Sequence, residues 1–461
     1  MSSWILGLAA LAPAVASLLL PDGRQGDQRV LWLGAAVAFG LCSLLLALHF
    51  GPRTRFAPAA QAAAAGFQPR LLLLVALSAR LLAAFGPLRF DDDLWRYLWD
   101  GIATSSGVSP YRFAPSQVLE HDPRFDALLL DPADEAALER LARRAEGAPA
   151  RQALEHINFP FYPTLYPPTS QLAFAATAAL APGSPRLLRL LFALADTGTV
   201  ALLLGLLRRL GKPPWWALAY AWHPLPILEL SAAGHQDALG IALVLAGAFS
   251  LLAARRGAAG ALAAAAAGVK LFPAGLLWLW CRPLGRRGSV GALVAALALL
   301  LPFAWLGPPS LAGLGAYLGR WEFFSGPFAV LTALLGGRAD LARGAVALAA
   351  LGWLVALRPW REGTTALALE RGWSWVEGML VLSPVVDPWY LPWALAPTVL
   401  RGSLAWPLFA TLVPLSYLPA GPNGHSAALR AAVWLPFLAV WVWEKRGWVR
   451  GWTPGMLEVS T

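Results

Sequence analysis

Residues 290–306 read VGALVAALALLLPFAWL, a run without a single charge. At about 1.5 Å of rise per residue, a helix over such a run approaches the roughly 30 Å hydrocarbon thickness of a bilayer. Working outward, comparable apolar runs recur at 4–20, 30–49, 71–88, 187–207, 214–231, 236–253, 341–357, 373–386, 390–400, 404–418 and 429–443, several of them short. Pieces at 170–181 and 328–335 read as half-spans or interfacial helices. The stretch 258–280 is interrupted by Lys270 and Pro273. The pattern predicts an all-α, polytopic membrane protein with about 12 transmembrane helices. Composition agrees: 58% of the 461 residues are hydrophobic and 13% charged, whereas a soluble domain is about 25% charged. Mean hydropathy is +0.56. The run at 4–20 has no basic residue before it and reads as a retained span, not a signal peptide. Cys42 and Cys281 lie in or beside apolar segments and support neither a disulfide nor a thiolate metal site.

Net charge is +10 and the pI about 10.2, a balance that also suits nucleic-acid binding. The distribution excludes that reading. Lysine occurs only at 212, 270 and 445, and arginine sits in short clusters between apolar runs, as on cytoplasmic membrane flanks. Arg53/Arg55, Arg208/Arg209/Lys212, Arg255/Arg256, Arg282/Arg286/Arg287, Arg358/Arg361 and Lys445/Arg446/Arg450 are therefore expected inside. A threading with both termini inside needs 170–181 not to cross and 258–280 to form a broken in–out–in pair. It leaves Arg186, Arg189 and Arg338 outside or at an interface. Three parts follow: N-terminal transmembrane helices over 1–88, a non-cytoplasmic acidic loop with a juxtamembrane helix over 89–168, and a transmembrane bundle with short outer loops over 169–461. The loop holds 13 of the chain's 26 acidic residues. Within it, Asp131-Pro132 opens a polar helix, read as a solvated cap. No internal repeat supports an inverted-repeat transporter.

The densest chemical signal is Phe90-Asp91-Asp92-Asp93-Leu94-Trp95-Arg96-Tyr97-Leu98-Trp99-Asp100-Gly101. As a helix it places Asp93, Arg96, Tyr97 and Asp100 on one polar stripe. The expectation is an amphipathic helix lying at the outer membrane surface, its tryptophans at headgroup level. Asp91 reads as a helix cap. Three successive acids exceed what capping needs, so Asp93 or Asp92 is a candidate catalytic carboxylate.

This block, followed by Gly107-Val108-Ser109-Pro110-Tyr111-Arg112-Phe113-Ala114-Pro115, resembles bacterial polyprenyl-phosphate-sugar-dependent glycosyltransferases of the GT-C superfamily, family 87-like mannosyltransferases above all. Further blocks agree in order: Tyr166-Pro167-Pro168, Gly234-His235-Gln236-Asp237-Ala238-Leu239, Val269-Lys270-Leu271-Phe272-Pro273, residues 317–324, and Leu382-Ser383-Pro384-Val385-Val386-Asp387-Pro388-Trp389-Tyr390. The resemblance spans roughly 90–393. Two departures stand out. Relatives often carry His where Asp387 stands, and Asn near Phe324. The runs at 4–20 and 30–49 precede a pattern in which the acidic loop usually follows the first crossing.

The resemblance implies a GT-C fold with a long first non-cytoplasmic catalytic loop in a bacterial inner membrane, its active site on the periplasmic or extracellular face. It implies inverting transfer of a hexose, mannose foremost, from polyprenyl phosphate to a hydroxyl of a lipid-linked or cell-envelope glycan. Asp93 matches the family's acidic residue and would act as general base, with Asp92 beside it. Growing charge on the leaving phosphate requires a cation or N–H donors. Lys270, an isolated charge in an apolar run, suits that need, and Arg96 is the alternative. His235, Asp237, Tyr97, Tyr166, Glu322, Asp387 and Tyr390, with Trp389, form the substrate-binding set. No metal is expected, the alternative being a divalent ion on Asp93, Asp237 and Glu322. The rival reading is a transporter or flippase of lipid-linked sugars that breaks no bond; a non-catalytic assembly partner is a third.

Overall fold

The computed structural model describes residues 67–87, 92–121, 130–307, 310–358, 364–421 and 424–449, with single positions between 33 and 41. The run at 4–20, most of 30–49, and Cys42, Arg53, Arg55, Asp91, Arg361 and Arg450 lie outside the described residues.

Proline sets where many helices start. It opens α1 (Pro69–Phe85), the 3₁₀ turn Pro214–Ala217 and the helix Pro327–Leu334, among others. At the first helical position its missing N–H costs nothing and its fixed φ suits the helix. Every regular element among the described residues is helical, and three isolated bridge pairs build no sheet. After α1 come α2 (Asp93–Ser105), α3 (Pro132–Ala145), α4 (Pro168–Leu180) and α5 (Pro185–Arg209). There follow α6 (Asp237–Leu252), α7 (Arg256–Ala267), α8 (Cys281–Trp305), α9 (Ala339–Ala356), α10 (Thr365–Leu382), α11 (Pro392–Arg401) and α12 (Ala427–Val449).

Among the described residues, four helices are long and apolar enough to cross a membrane: α5, α8, α9 and the Ala427–Arg446 part of α12. They differ in burial. Half of the apolar window of α5 is buried, against 11% for α8 and 6% for α9, so α5 is a central post while α8 and α9 turn leucines such as Leu300, Leu301 and Leu348 outward. The expected span at 214–231 is instead a series of short turns ending in the π-helix Ile227–Ala233. Pro213, Pro214, Pro224 and Pro226 fragment it, since each removes a donor and clashes with the preceding turn. The stretch 258–280 breaks where its sequence indicates, with Lys270 between α7 and the short helix Ala274–Leu279.

The helix of the acidic block departs from its expected place. Leu94 through Ala103 are all buried, including Trp95 and Trp99. So α2 is packed inside the protein rather than exposed along one face. The reason is its packing against α4: a Cβ on Gly101 would fall 2.4 Å from the Phe174 carbonyl oxygen, so only glycine allows the approach. The polar stripe is satisfied by protein groups rather than by solvent. Asp131 does cap α3, accepting from the backbone N–H groups of Ala133 and Asp134 at 2.9 and 2.8 Å.

Candidate active site

Asp93 is the first residue of α2; Asp92 before it stands at the N-cap but makes no capping hydrogen bond. Capping therefore does not account for the acids. One turn along, the Tyr97 hydroxyl donates to Asp93 Oδ2 at 3.4 Å, and Tyr166, from the loop ahead of α4, donates to the same oxygen at 3.0 Å. The two rings meet edge to face at 4.9 Å, and Tyr97 stacks on Phe174 at 4.7 Å. Each phenol is thus fixed by ring packing before it reaches the carboxylate.

Tyr166 is fixed in turn. Its carbonyl accepts from the Tyr111 hydroxyl at 2.7 Å and from Gln171 Nε2 at 3.2 Å. Gln171 Nε2 also donates to Asp100 Oδ2 at 3.0 Å. Burial pushes the Asp100 carboxyl up to about 6, while the Arg96 charge and hydrogen bonds from Gln171 and Thr164 pull the other way. Arg96 itself donates to the carbonyls of Tyr162, Asn158 and Phe159, bracing that loop against α2.

Lys270 sits in the break after α7. Its Nζ donates to Asp237 Oδ1 at 2.7 Å and stands 3.2 Å from the centroid of the Tyr390 ring. Trp393 Nε1 donates to the same Asp237 oxygen at 2.5 Å, and the Tyr390 and Tyr317 hydroxyls are 2.8 Å apart. The charges of Asp237, Asp387 and Asp93 act on Lys270 in that order. The site thus joins α2, the loop before α4, the start of α6, the break after α7 and the 3₁₀ turn Pro388–Tyr390. An apolar wall raises the cost of an unpaired charge, so a lone lysine here requires these carboxylates.

His235 is buried, its ring stacked on Trp389 at 4.0 Å and 9°. Glu322 belongs to another group: it accepts from Ser325 Oγ at 3.0 Å and lies 3.7 Å from Arg430. Asp387 is buried at the N-cap of Pro388–Tyr390. Among the described residues no three His, Cys, Asp or Glu side chains gather in a set that could hold a metal ion; Asp93, Asp237 and Glu322 form no such set.

Residues 164–384 match the model of glycosyltransferase family 87. Over that region, a little under half of the chain, the sequence is similar to this family, which indicates a glycosyltransferase. No curated protein and no solved structure matches it. In this glycosyltransferase the matched region contains Tyr166, His235, Asp237, Lys270 and Glu322, whereas Asp93 and Tyr97 come before it and Asp387 and Tyr390 just after.

Several residues of the site escape a reading of the sequence. Thr164 and Gln171 carry no signal of their own, whereas Tyr111 stands in the Ser109-Pro110-Tyr111 stretch of a resembling block. Tyr317 and Trp393 stand within or beside the resembling blocks without distinguishing chemistry. Glu229, by contrast, is a lone acid in an apolar run and is detectable by the reasoning that singles out Lys270.

Proposed function

We propose that this glycosyltransferase moves a hexose, mannose being the expected sugar, from a polyprenyl-phosphate donor to a hydroxyl of a lipid-linked or cell-envelope glycan, with inversion at C1. Asp93 takes the proton of the acceptor hydroxyl as its oxygen attacks C1. The bond from C1 to the phosphate oxygen breaks on the opposite side, and polyprenyl phosphate leaves. Asp92 orients the acceptor. The phosphate passes from diester to monoester and gains negative charge, which Lys270 meets. Asp237 and Trp393 hold that lysine in register, Tyr390 and Asp387 line the sugar, and His235 meets the sugar or its phosphate. The reading places the site at the periplasmic or extracellular face of a bacterial plasma membrane, within a bundle of about 12 crossings.

One observation carries this reading. A carboxylate gripped by the Tyr97 and Tyr166 hydroxyls lies close enough to Lys270 for its charge to act on the ammonium. A base and a phosphate-binding cation are what the transfer needs in one place. Membranes containing the protein, given radiolabelled polyprenyl-phosphate-mannose, are expected to yield labelled product and free polyprenyl phosphate. Asp93→Asn at normal expression is expected to abolish both. Undiminished turnover in that variant ends the proposal, as does relocation of the donor with its sugar bond intact.

A further inference from the structure

Glu229 is a buried carboxylate that the scheme above leaves unused. It lies in the π-helix Ile227–Ala233, a wide-turn geometry that concentrates at functional sites. Gly234 ends the turn at φ 86. A Cβ there would meet Arg189 Cγ at 2.8 Å, so glycine is required on both counts. The reversal brings His235 back onto Glu229. Its backbone N–H donates to the Glu229 carbonyl at 3.2 Å, and its Nε2 lies 3.6 Å from Glu229 Oε2. The Tyr417 hydroxyl donates to both carboxylate oxygens at 3.1 and 3.0 Å, fixing their plane.

The imidazole also stacks on the indole of Trp389, parallel to it at 4.0 Å. Burial opposes a charge on this ring, and the carboxylate beside its nitrogen and the π face against it are the contacts that offset that cost for an imidazolium. Asp237 holds Lys270, and Arg189 aims its guanidinium at the carbonyls of Gly86 and Ala83 at 2.7 and 2.8 Å. Trp389 meets Tyr390 edge to face at 5.9 Å, and Tyr390 carries Lys270 against its ring. His235 and Lys270 are therefore joined through two aromatic side chains that meet edge to face.

We infer that Glu229 is a positioning residue that holds His235 as a second cation beside Lys270, set to donate to a phosphate oxygen of the donor. The donor's identity rests on the glycosyl-transfer reading; the Glu229–His235 pairing does not.

A double-mutant cycle on the transfer reaction tests the coupling. Glu229→Gln is expected to lower kcat/KM about tenfold, roughly 1.4 kcal/mol, through loss of the charge facing the imidazole. In a His235→Asn background the same change is expected to cost nothing further. Glu229→Asp, which keeps the carboxylate, is expected to recover part of the loss. Additive losses, or full activity in Glu229→Gln, overturn the inference. A second measurement needs neither turnover nor a folded Glu229 variant. In ¹⁵N-histidine-labelled wild-type protein in lipid nanodiscs at pH 7, the His235 signal, assigned by its loss in His235→Asn, is expected to show both ring nitrogens protonated. A neutral ring there overturns the inference. Should wild-type protein transfer no sugar, the glycosyl-transfer reading fails while this spectrum still decides the pairing.

Discussion

The hydroxyl of Tyr166 reaches Asp93 Oδ2 at 3.0 Å, across 73 positions of sequence. That bond closes the loop before α4 onto the first turn of α2, and it aims the carboxylate. Tyr97 reaches the same oxygen at 3.4 Å, a weaker geometry. Tyr166→Phe is therefore expected to lower kcat/KM for sugar transfer by about tenfold, near 1.4 kcal/mol. Tyr97→Phe is expected to cost less. Steady-state kinetics on the purified enzyme checks the ranking, and a larger loss in Tyr97→Phe contradicts this account of how Asp93 is held.

Lys270 and Asp237 form a pair in which the carboxylate is almost fully buried and the lysine is 22% exposed. Lys270→Met leaves Asp237 with the Trp393 indole as a donor. The expected destabilisation falls below the roughly 3–5 kcal/mol of a fully buried broken pair, because the lysine end is partly solvated. Adding Asp237→Asn is expected to restore stability without restoring turnover. Thermal unfolding in detergent, read beside activity, separates the two roles. Recovery of turnover in the double variant counts against Lys270 as the phosphate's cation.

Deeper in the helices, Arg80 of α1 and Asp196 of α5 pair at 2.6 Å with both side chains fully buried. The Tyr220 hydroxyl donates to the second Asp196 oxygen at 2.6 Å, and Arg80 also donates to the Ala221 and Ala76 carbonyls at 3.1 and 3.3 Å. Removing either charge strands the other, so Arg80→Met or Asp196→Leu is expected to cost roughly 3–5 kcal/mol, and the double change much less than the sum. Denaturant titration of the purified variants measures this. Additive losses show that the pair is not the unit that matters.

Asp100 gives the stability a pH dependence of stated sign. Its folded value of about 6 lies above the ordinary carboxylate range because it is buried. Between about pH 4 and pH 6 the folded state binds more protons than the unfolded one, so this group's contribution falls as pH rises through the window and is flat above it. Asp100→Asn is expected to remove that slope while keeping a polar partner for Gln171. Melting temperatures of both proteins from pH 4.5 to 7.5 test it; parallel curves exclude Asp100 as the source.

Much of the architecture is legible in the residues. The apolar runs at 187–207, 290–306, 341–357 and 429–443 each lie within a helix of spanning length, because a continuous apolar surface has few other ways to satisfy its backbone. The break at Lys270 is legible too, from a charge and a proline inside a small-residue run. The run at 214–231 is misread as a span because hydropathy counts side chains and not lost donors. The helix of the acidic block is misplaced because a polar stripe looks the same whether water or protein satisfies it.

By itself the sequence determined that the chain is helical and membrane-bound, and that Asp92, Asp93 and Lys270 are costly residues in costly places. Both follow from local chemistry: the price of transferring each group out of water depends on the residue and its immediate neighbours. Only the tertiary structure decided who faces whom. Tyr166 on Asp93, Asp237 and Tyr390 around Lys270, and Glu229 and Trp389 around His235 are contacts between distant segments. They are set by the close seating of α4 on Gly101 and by the left-handed turn at Gly234.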